Sequence, residues 1–131
     1  VNAHPERLTV LIADDDLMIR EVLREVLEVE ADLVVVGSAQ DTDEAITLAE
    51  LHTPMVAVLD VRMPGGGGVR AVEEIRLRSP GTRILAFSAY HDTAAVDAMR
   101  QAGVVEYLRK GVPNTEIVDA VRRLARSGDP A

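Results

Sequence analysis

Four aspartates stand where they could do chemistry. Asp14, Asp15 and Asp16 close the apolar run Leu8 to Ala13, and Asp60 closes the run Met55 to Leu59. If both runs are parallel strands of one sheet, their carboxyl ends share an edge, and open α/β sheets hold ligands at that edge. Carboxylates brought so close repel by on the order of 4 kcal/mol per pair at about 4 Å and an effective dielectric of about 20. Such a cluster calls for a cation, a proton or a reaction. Two further run ends add other functional groups: the hydroxyl of Ser88 after Arg83 to Phe87, and the ammonium of Lys110, which follows Val104 to Leu108 through Arg109.

These positions depend on the elements that carry them. Short aliphatic runs at Leu8 to Ala13, Leu33 to Gly37, Val56 to Leu59, Arg83 to Phe87 and Val104 to Leu108 are expected to be five strands. Apolar residues recur at helical spacing between them: Ile19, Val22, Leu23, Val26 and Leu27; Ala45, Leu48 and Ala49; Val69, Val72 and Ile75; Val96 and Met99; Ile117, Val121 and Leu124. Asp16, Asp41, Asp92 and Asn114 suit helix N-termini, Gly103 suits a helix C-terminus, and Pro80-Gly81 and Pro113 mark turns. Regular alternation with right-handed crossovers predicts an α/β fold, a parallel sheet with helices on both faces. In a doubly wound five-stranded sheet of order 2-1-3-4-5 the second strand lies at the edge, and it is the one whose end, Gly37-Ser38, brings no reactive group.

Composition narrows the class. A chain of 131 residues fits one domain over 1–131, with its core at about 7–127. The apolar share is 47% with one Phe, two Tyr and no Trp, so aliphatic residues must build the core. A net charge of -8 argues against direct nucleic-acid binding. The absence of cysteine removes disulfides, thiolate metal sites and thiol nucleophiles. No apolar segment is long enough to span a bilayer and Val1 to Arg7 lack a signal-peptide core, so a cytoplasmic protein with no membrane partner is expected. The chain starts at Val1 and ends in the turn-like Ser127-Gly128-Asp129-Pro130.

Together, Asp14-Asp15, Asp60 followed by Met63-Pro64 and Gly68, Ser88-Ala89, and Tyr107 three residues before Lys110 resemble the receiver domain of two-component response regulators. The likeness covers about residues 7 to 127. It implies a flavodoxin-like receiver fold and a signalling switch that catalyses only its own phosphorylation and dephosphorylation. Asp60 would be the phosphoacceptor, taking a phosphoryl group from a histidine kinase, a phosphotransfer protein or a small acyl phosphate. Mg²⁺ would be held by Asp15, by Asp14 through water, by Asp60 and by the backbone carbonyl of Arg62. Lys110 and Ser88 would bind phosphoryl oxygens, and Ala89 would keep the site open. Ser88 and Tyr107 would carry the switch to the face of the fourth helix, fifth strand and fifth helix, where a homodimer or downstream target is expected; Val96 and Met99 would be its apolar residues, although both fit a core position equally well.

Plainer readings apply elsewhere. Asp16 reads as a helix cap, Gly65 to Gly68 as a flexible entry to the third helix, and His4, His52 and His91 as surface residues, of which only His91 could approach the site. Lysine followed by Gly111 and the Ser88-Ala89-Tyr90 run are most similar to NarL/FixJ-type receivers, which usually carry a helix-turn-helix output that is not present in this chain. Gly65 to Gly67 lack the usual apolar and acidic residues, an expected source of loosening. Arg62 and Tyr90 are bulky and are expected to obstruct the hydrolytic water. Two rival functions are a phosphorylation-independent pseudo-receiver, disfavoured by the full set Asp15, Asp60, Ser88 and Lys110, and a haloacid dehalogenase-like phosphatase. The latter's second acid is replaced by Arg62.

Overall fold

The computed structural model describes residues 7–89 and 93–127. Five strands and five helices alternate: β1 (Leu8–Ala13), α1 (Leu17–Glu28), β2 (Leu33–Ala39), α2 (Thr42–His52), β3 (Val56–Asp60), α3 (Gly67–Arg78), β4 (Arg83–Ser88), α4 (Thr93–Gln101), β5 (Glu106–Arg109) and α5 (Asn114–Arg126). The sheet runs β2-β1-β3-β4-β5, as expected, with every neighbouring pair parallel. Tyr90, His91 and Asp92, named above for the hydrolytic water, the approach to the site and a helix cap, lie outside the described residues, as do His4 and Gly128 to Pro130.

Sheet alternation sorts the aliphatic residues into two cores. Val10, Ile12, Val56, Val58, Leu85 and Phe87 face α1 and α5, where Leu23, Leu27, Ile117 and Val121 meet them. Leu11, Ala13, Ala57, Leu59 and Ala86 face Ala45 and Ala49 of α2, Val72 and Ile75 of α3, and Met99 of α4. All five residues of β3 are buried, which is why this central strand reads as an unbroken apolar run up to its terminal acid. Each large aliphatic side chain buried this way contributes about 1.5–3 kcal/mol. Alanines on the second face let α2 and α3 approach the sheet closely.

Local signals set the helix ends. Asp16 accepts a hydrogen bond from Met18 N at 2.8 Å and caps α1, as expected. Asp41 caps α2 through Glu44 N at 2.8 Å, while Glu44 Oε1 reaches back to Gln40 N at 2.8 Å, a variant of the capping box. At the end of α4, Gly103 adopts φ 107° and the following Val104 N donates to Met99 O at 3.0 Å, closing the helix. On the opposite side of the sheet edge, Arg122 of α5 binds Asp32 at 2.8 Å and Glu30 at 2.7 Å, tying α5 to the approach to β2.

Several expectations need correction. Strand β5 is Glu106–Arg109 and not 104–108, because Val104 is spent on closing α4 and Val105 is 81% exposed. Strand β2 continues past Gly37 to Ala39, since Ser38 and Ala39 pair with Ile12 and Ala13 after a register shift. Strands β3 and β4 take in Asp60 and Ser88 themselves. Val22 is 49% exposed on the outer side of α1. Asn114 does stand at the N-terminus of α5, as its first residue after Pro113. Of the two readings open for Met99, partner face or core, the structure takes the core: it is fully buried in the second cluster.

Candidate functional site

The strand register assembles the site. Ala13 pairs with Leu59, so the next residues, Asp14 and Asp60, emerge side by side at the carboxyl edge. Asp60 is in turn level with Phe87, one step before Ser88, and Ser88 is level with Arg109, one step before Lys110. The four chemical groups therefore follow from four adjacent strands. Ligand oxygens of Asp14, Asp15 and Asp60 all lie within 4.8 Å of one another. Asp14 and Asp60 are buried and Asp15 is exposed, whereas Asp16 stands outside the group as a cap.

Lys110 reaches into this cluster. Its Nζ lies 2.8 Å from Asp14 Oδ2 and 3.4 Å from Asp60 Oδ1, and its backbone N donates to Ser88 O at 2.8 Å. Despite the short distance to the ammonium, the buried Asp14 Oδ2 accepts no hydrogen bond of ordinary geometry. Its companion Oδ1 accepts from Asp16 N at 2.9 Å. Arg62 N donates to Asp60 Oδ1 at 3.3 Å.

One ammonium does not neutralise three acids. Burial, reinforced by the neighbouring Asp14 carboxylate, pushes Asp60 up from its ordinary value to about 6, against the pull of Lys110 and the Arg62 N–H. Burial pulls the Lys110 ammonium down, but Asp14 and Asp60 outweigh it and its pKa is raised, so it stays charged at neutral pH. The donor set fits a hard divalent cation: carboxylate oxygens close together, one of them buried without a hydrogen bond, one acid open to solvent.

The loop from β3 to α3 is tied down, contrary to the expected loosening. Thr42 N donates to Pro64 O at 3.0 Å, Thr42 Oγ1 to Gly67 O at 3.2 Å, and Arg70 Nη1 to Gly65 O at 2.7 Å. Gly65, Gly66 and Gly67 all have positive φ, which only glycine adopts cheaply, so the run builds a defined turn. Gly68 is required for another reason: a Cβ there would lie 2.9 Å from Asp60 O and 3.0 Å from Met99 Cε. Fully buried Thr42 was missed in the sequence because its partner Gly67 is 25 residues away and threonine at a helix start reads only as a cap. Arg20, whose Nη1 donates to Asp14 O at 2.7 Å, was missed likewise.

Ser88 and Tyr107 come together on a second feature. An open groove of about 340 Å³ is lined by both, together with Val96, Asp97 and Arg100 of α4. The Tyr107 hydroxyl donates to Val104 O, and the Arg100 guanidinium sits 5.1 Å from the ring centroid. A separate hollow beside Asp15 is lined by Arg62, Met63, Pro64, Ala94 and Ala95. Among the described residues, no helix is long and apolar enough to cross a membrane.

Known proteins are similar to this chain in sequence and fold. The family model described as response regulator receiver domain matches residues 10–122. "Probable transcriptional regulatory protein NarL" of Mycobacterium tuberculosis is 37% identical over 128 residues, covering 98% of this chain and 59% of that protein. The uncharacterised transcriptional regulatory protein YxjL of Bacillus subtilis is 34% identical over 92% of this chain and 56% of its own length. The chain thus spans a little over half the length of these relatives. Among solved structures, the signal receiver domain of a NarL response regulator from Mycobacterium tuberculosis superimposes with a TM-score of 0.88 at 36% identity, covering 95% of this chain and 100% of that one. With sequence and fold in agreement, the chain belongs to the response regulator receiver domain family, whose members are two-component signalling switches rather than metabolic enzymes.

Proposed function

We propose that this receiver domain works by phosphorylation of Asp60, and that the resulting aspartyl phosphate shifts the Ser88–Tyr107 region between two arrangements. The observation that carries the reading is the convergence of Asp14, Asp15, Asp60 and Lys110 at one sheet edge, with Asp60 central, buried and charge-frustrated. The donor is a kinase phosphohistidine, a phosphotransfer protein or an acyl phosphate. A carboxylate oxygen of Asp60 forms the new P–O bond as the donor's P–N or P–O bond breaks, and the donor leaves as free histidine or carboxylate.

Asp15, Asp14, Asp60 and the Arg62 carbonyl are the groups that would hold Mg²⁺. When bound, the ion offsets the acids' charge and orients phosphoryl oxygens. Lys110 supplies a compact positive charge that follows the developing phosphoryl charge from its present place between Asp14 and Asp60. The buried Ser88 hydroxyl donates to another phosphoryl oxygen, and Tyr107 moves into the space that Ser88 leaves. Moving a two-state equilibrium from 1:99 to 99:1 takes about 5.5 kcal/mol, and two or three charge-assisted hydrogen bonds to the phosphoryl group supply much of it. A homodimer or target then meets the face of α4, β5 and α5, and action in the cytoplasm follows from a kinase partner.

Incubation with Mg²⁺ and acetyl phosphate tests this. Intact mass should rise by roughly 80 Da, one phosphoryl group, for wild type and not for Asp60→Asn. No adduct from several donors would move the assignment to a pseudo-receiver, and steady phosphate release from unrelated phosphoesters would move it to a phosphatase.

A further inference from the structure

The tyrosine of the switch is tied down twice, and one of the ties is a charged side chain with no part in phosphoryl chemistry. Ala86 pairs with Tyr107 and Ser88 with Arg109, so Ser88 and Tyr107 project from the same sheet face, one repeat apart. The open groove of about 340 Å³ that both line runs between α4 and β5. Two anchors on the end of that helix hold the ring: the phenol donates to Val104 O, and Arg100 stands 5.1 Å over the ring. Val104 is itself fixed, since its N–H closes α4 on Met99 O at 3.0 Å and Met99 is fully buried. Any travel of Tyr107 toward Ser88 must therefore give up contacts with a rigid support.

We propose that Arg100 is a positioning residue that holds the Tyr107 ring where it stands in this structure, and so sets how much stabilisation at Asp60 is needed to throw the switch. This rests on the phosphoacceptor reading of Asp60 and deepens it. Arg100 is exposed and touches none of the site acids, so its effect passes through the ring. Asp97, one turn earlier on α4 and lining the same groove, is the acidic side chain facing the pair. A cation over an aromatic face favours the state in which the two touch, and a contact present in only one of two states shifts their populations by its own strength. The exposed position limits the effect to about threefold in the switching equilibrium.

The test compares wild type with Arg100→Gln, which removes the charge from an exposed site, and Arg100→Lys, which keeps it. Two quantities are read: the midpoint of a beryllofluoride titration in Mg²⁺, and the ring signal of Tyr107 in protein labelled with ¹³C-tyrosine, assigned with Tyr107→Phe. For Arg100→Gln the midpoint should fall about threefold and the ring signal of ligand-free protein should move toward its beryllofluoride-bound position, with Arg100→Lys between the two. Unchanged midpoint and ring signal overturn the inference while the phosphoacceptor reading stands. A changed midpoint with an unmoved ring also overturns it, because Arg100 would then act on the site without Tyr107. If wild type does not bind beryllofluoride, or Asp60→Asn binds it equally, the functional reading falls and this inference with it.

Discussion

Replacing the phosphoacceptor should make the metal-free protein more stable. Asp60 is pushed from 3.8 to about 6 by burial and by Asp14, so its ionised form is disfavoured in the folded chain. A folded pKa above the unfolded one gives a contribution fully present below the unfolded value and lost as pH rises through the folded value. The shift of about 2 units corresponds to about 3 kcal/mol by pH 7.5 and about 0.5 kcal/mol at pH 4. Asn mimics the protonated acid: it keeps an acceptor for Arg62 N and leaves Lys110 paired with Asp14. Asp60→Asn should therefore gain about 3 kcal/mol over wild type at pH 7.5, or about 10 °C in Tm for a chain of this length. The assay is thermal and urea unfolding in EDTA at pH 7.5 and pH 4. Added Mg²⁺ should narrow the gap at pH 7.5, because the wild-type site binds the ion better. A variant no more stable than wild type at pH 7.5, or an equal gap at both pH values, would refute the electrostatic account of the site.

Other outcomes follow from single features. Arg62→Asn should speed loss of the phosphoryl group roughly tenfold, a barrier change of about 1.4 kcal/mol, by opening the approach of water beside Asp60; decay of the adduct followed by mass checks it. Arg122 holds the Asp32 carboxyl below the usual carboxylate range, so this ion pair stabilises above the ordinary carboxylate pKa and is lost as pH falls through the lowered one. Asp32→Asn should cost about 1 kcal/mol at neutral pH and nothing in strong acid, as measured by urea unfolding across that range. Thr53 ends α2 with φ 41°, a left-handed conformation, and Thr53→Gly should raise stability by about 1 kcal/mol, seen as a Tm increase.

The sequence carried the sheet and its reactive edge because both depend on short-range patterns. Buried parallel strands read as aliphatic runs, and a strand that stops at an acid declares where the edge is; Asp14, Asp60, Ser88 and Lys110 were legible on that ground. Features made by distant pairs were not. Val104 reads as strand because it is β-branched, yet its N–H is taken by Met99 O, a helix-closing bond that aliphatic patterning does not reveal. Met99 at helical spacing fits a core or a partner face equally well, and its full burial against Gly68 and the second core shows that it is core. The glycine run looked loose because its restraints come from Thr42 and Arg70, on elements before and after it.

The central claim is that Asp60, among four neighbouring acids, takes the phosphoryl group. Reduction with borohydride after exposure to acetyl phosphate and Mg²⁺ converts an aspartyl phosphate to homoserine, and peptide sequencing then locates it. The structure predicts homoserine at position 60 alone; homoserine at position 14, 15 or 16, or at none, would contradict the account.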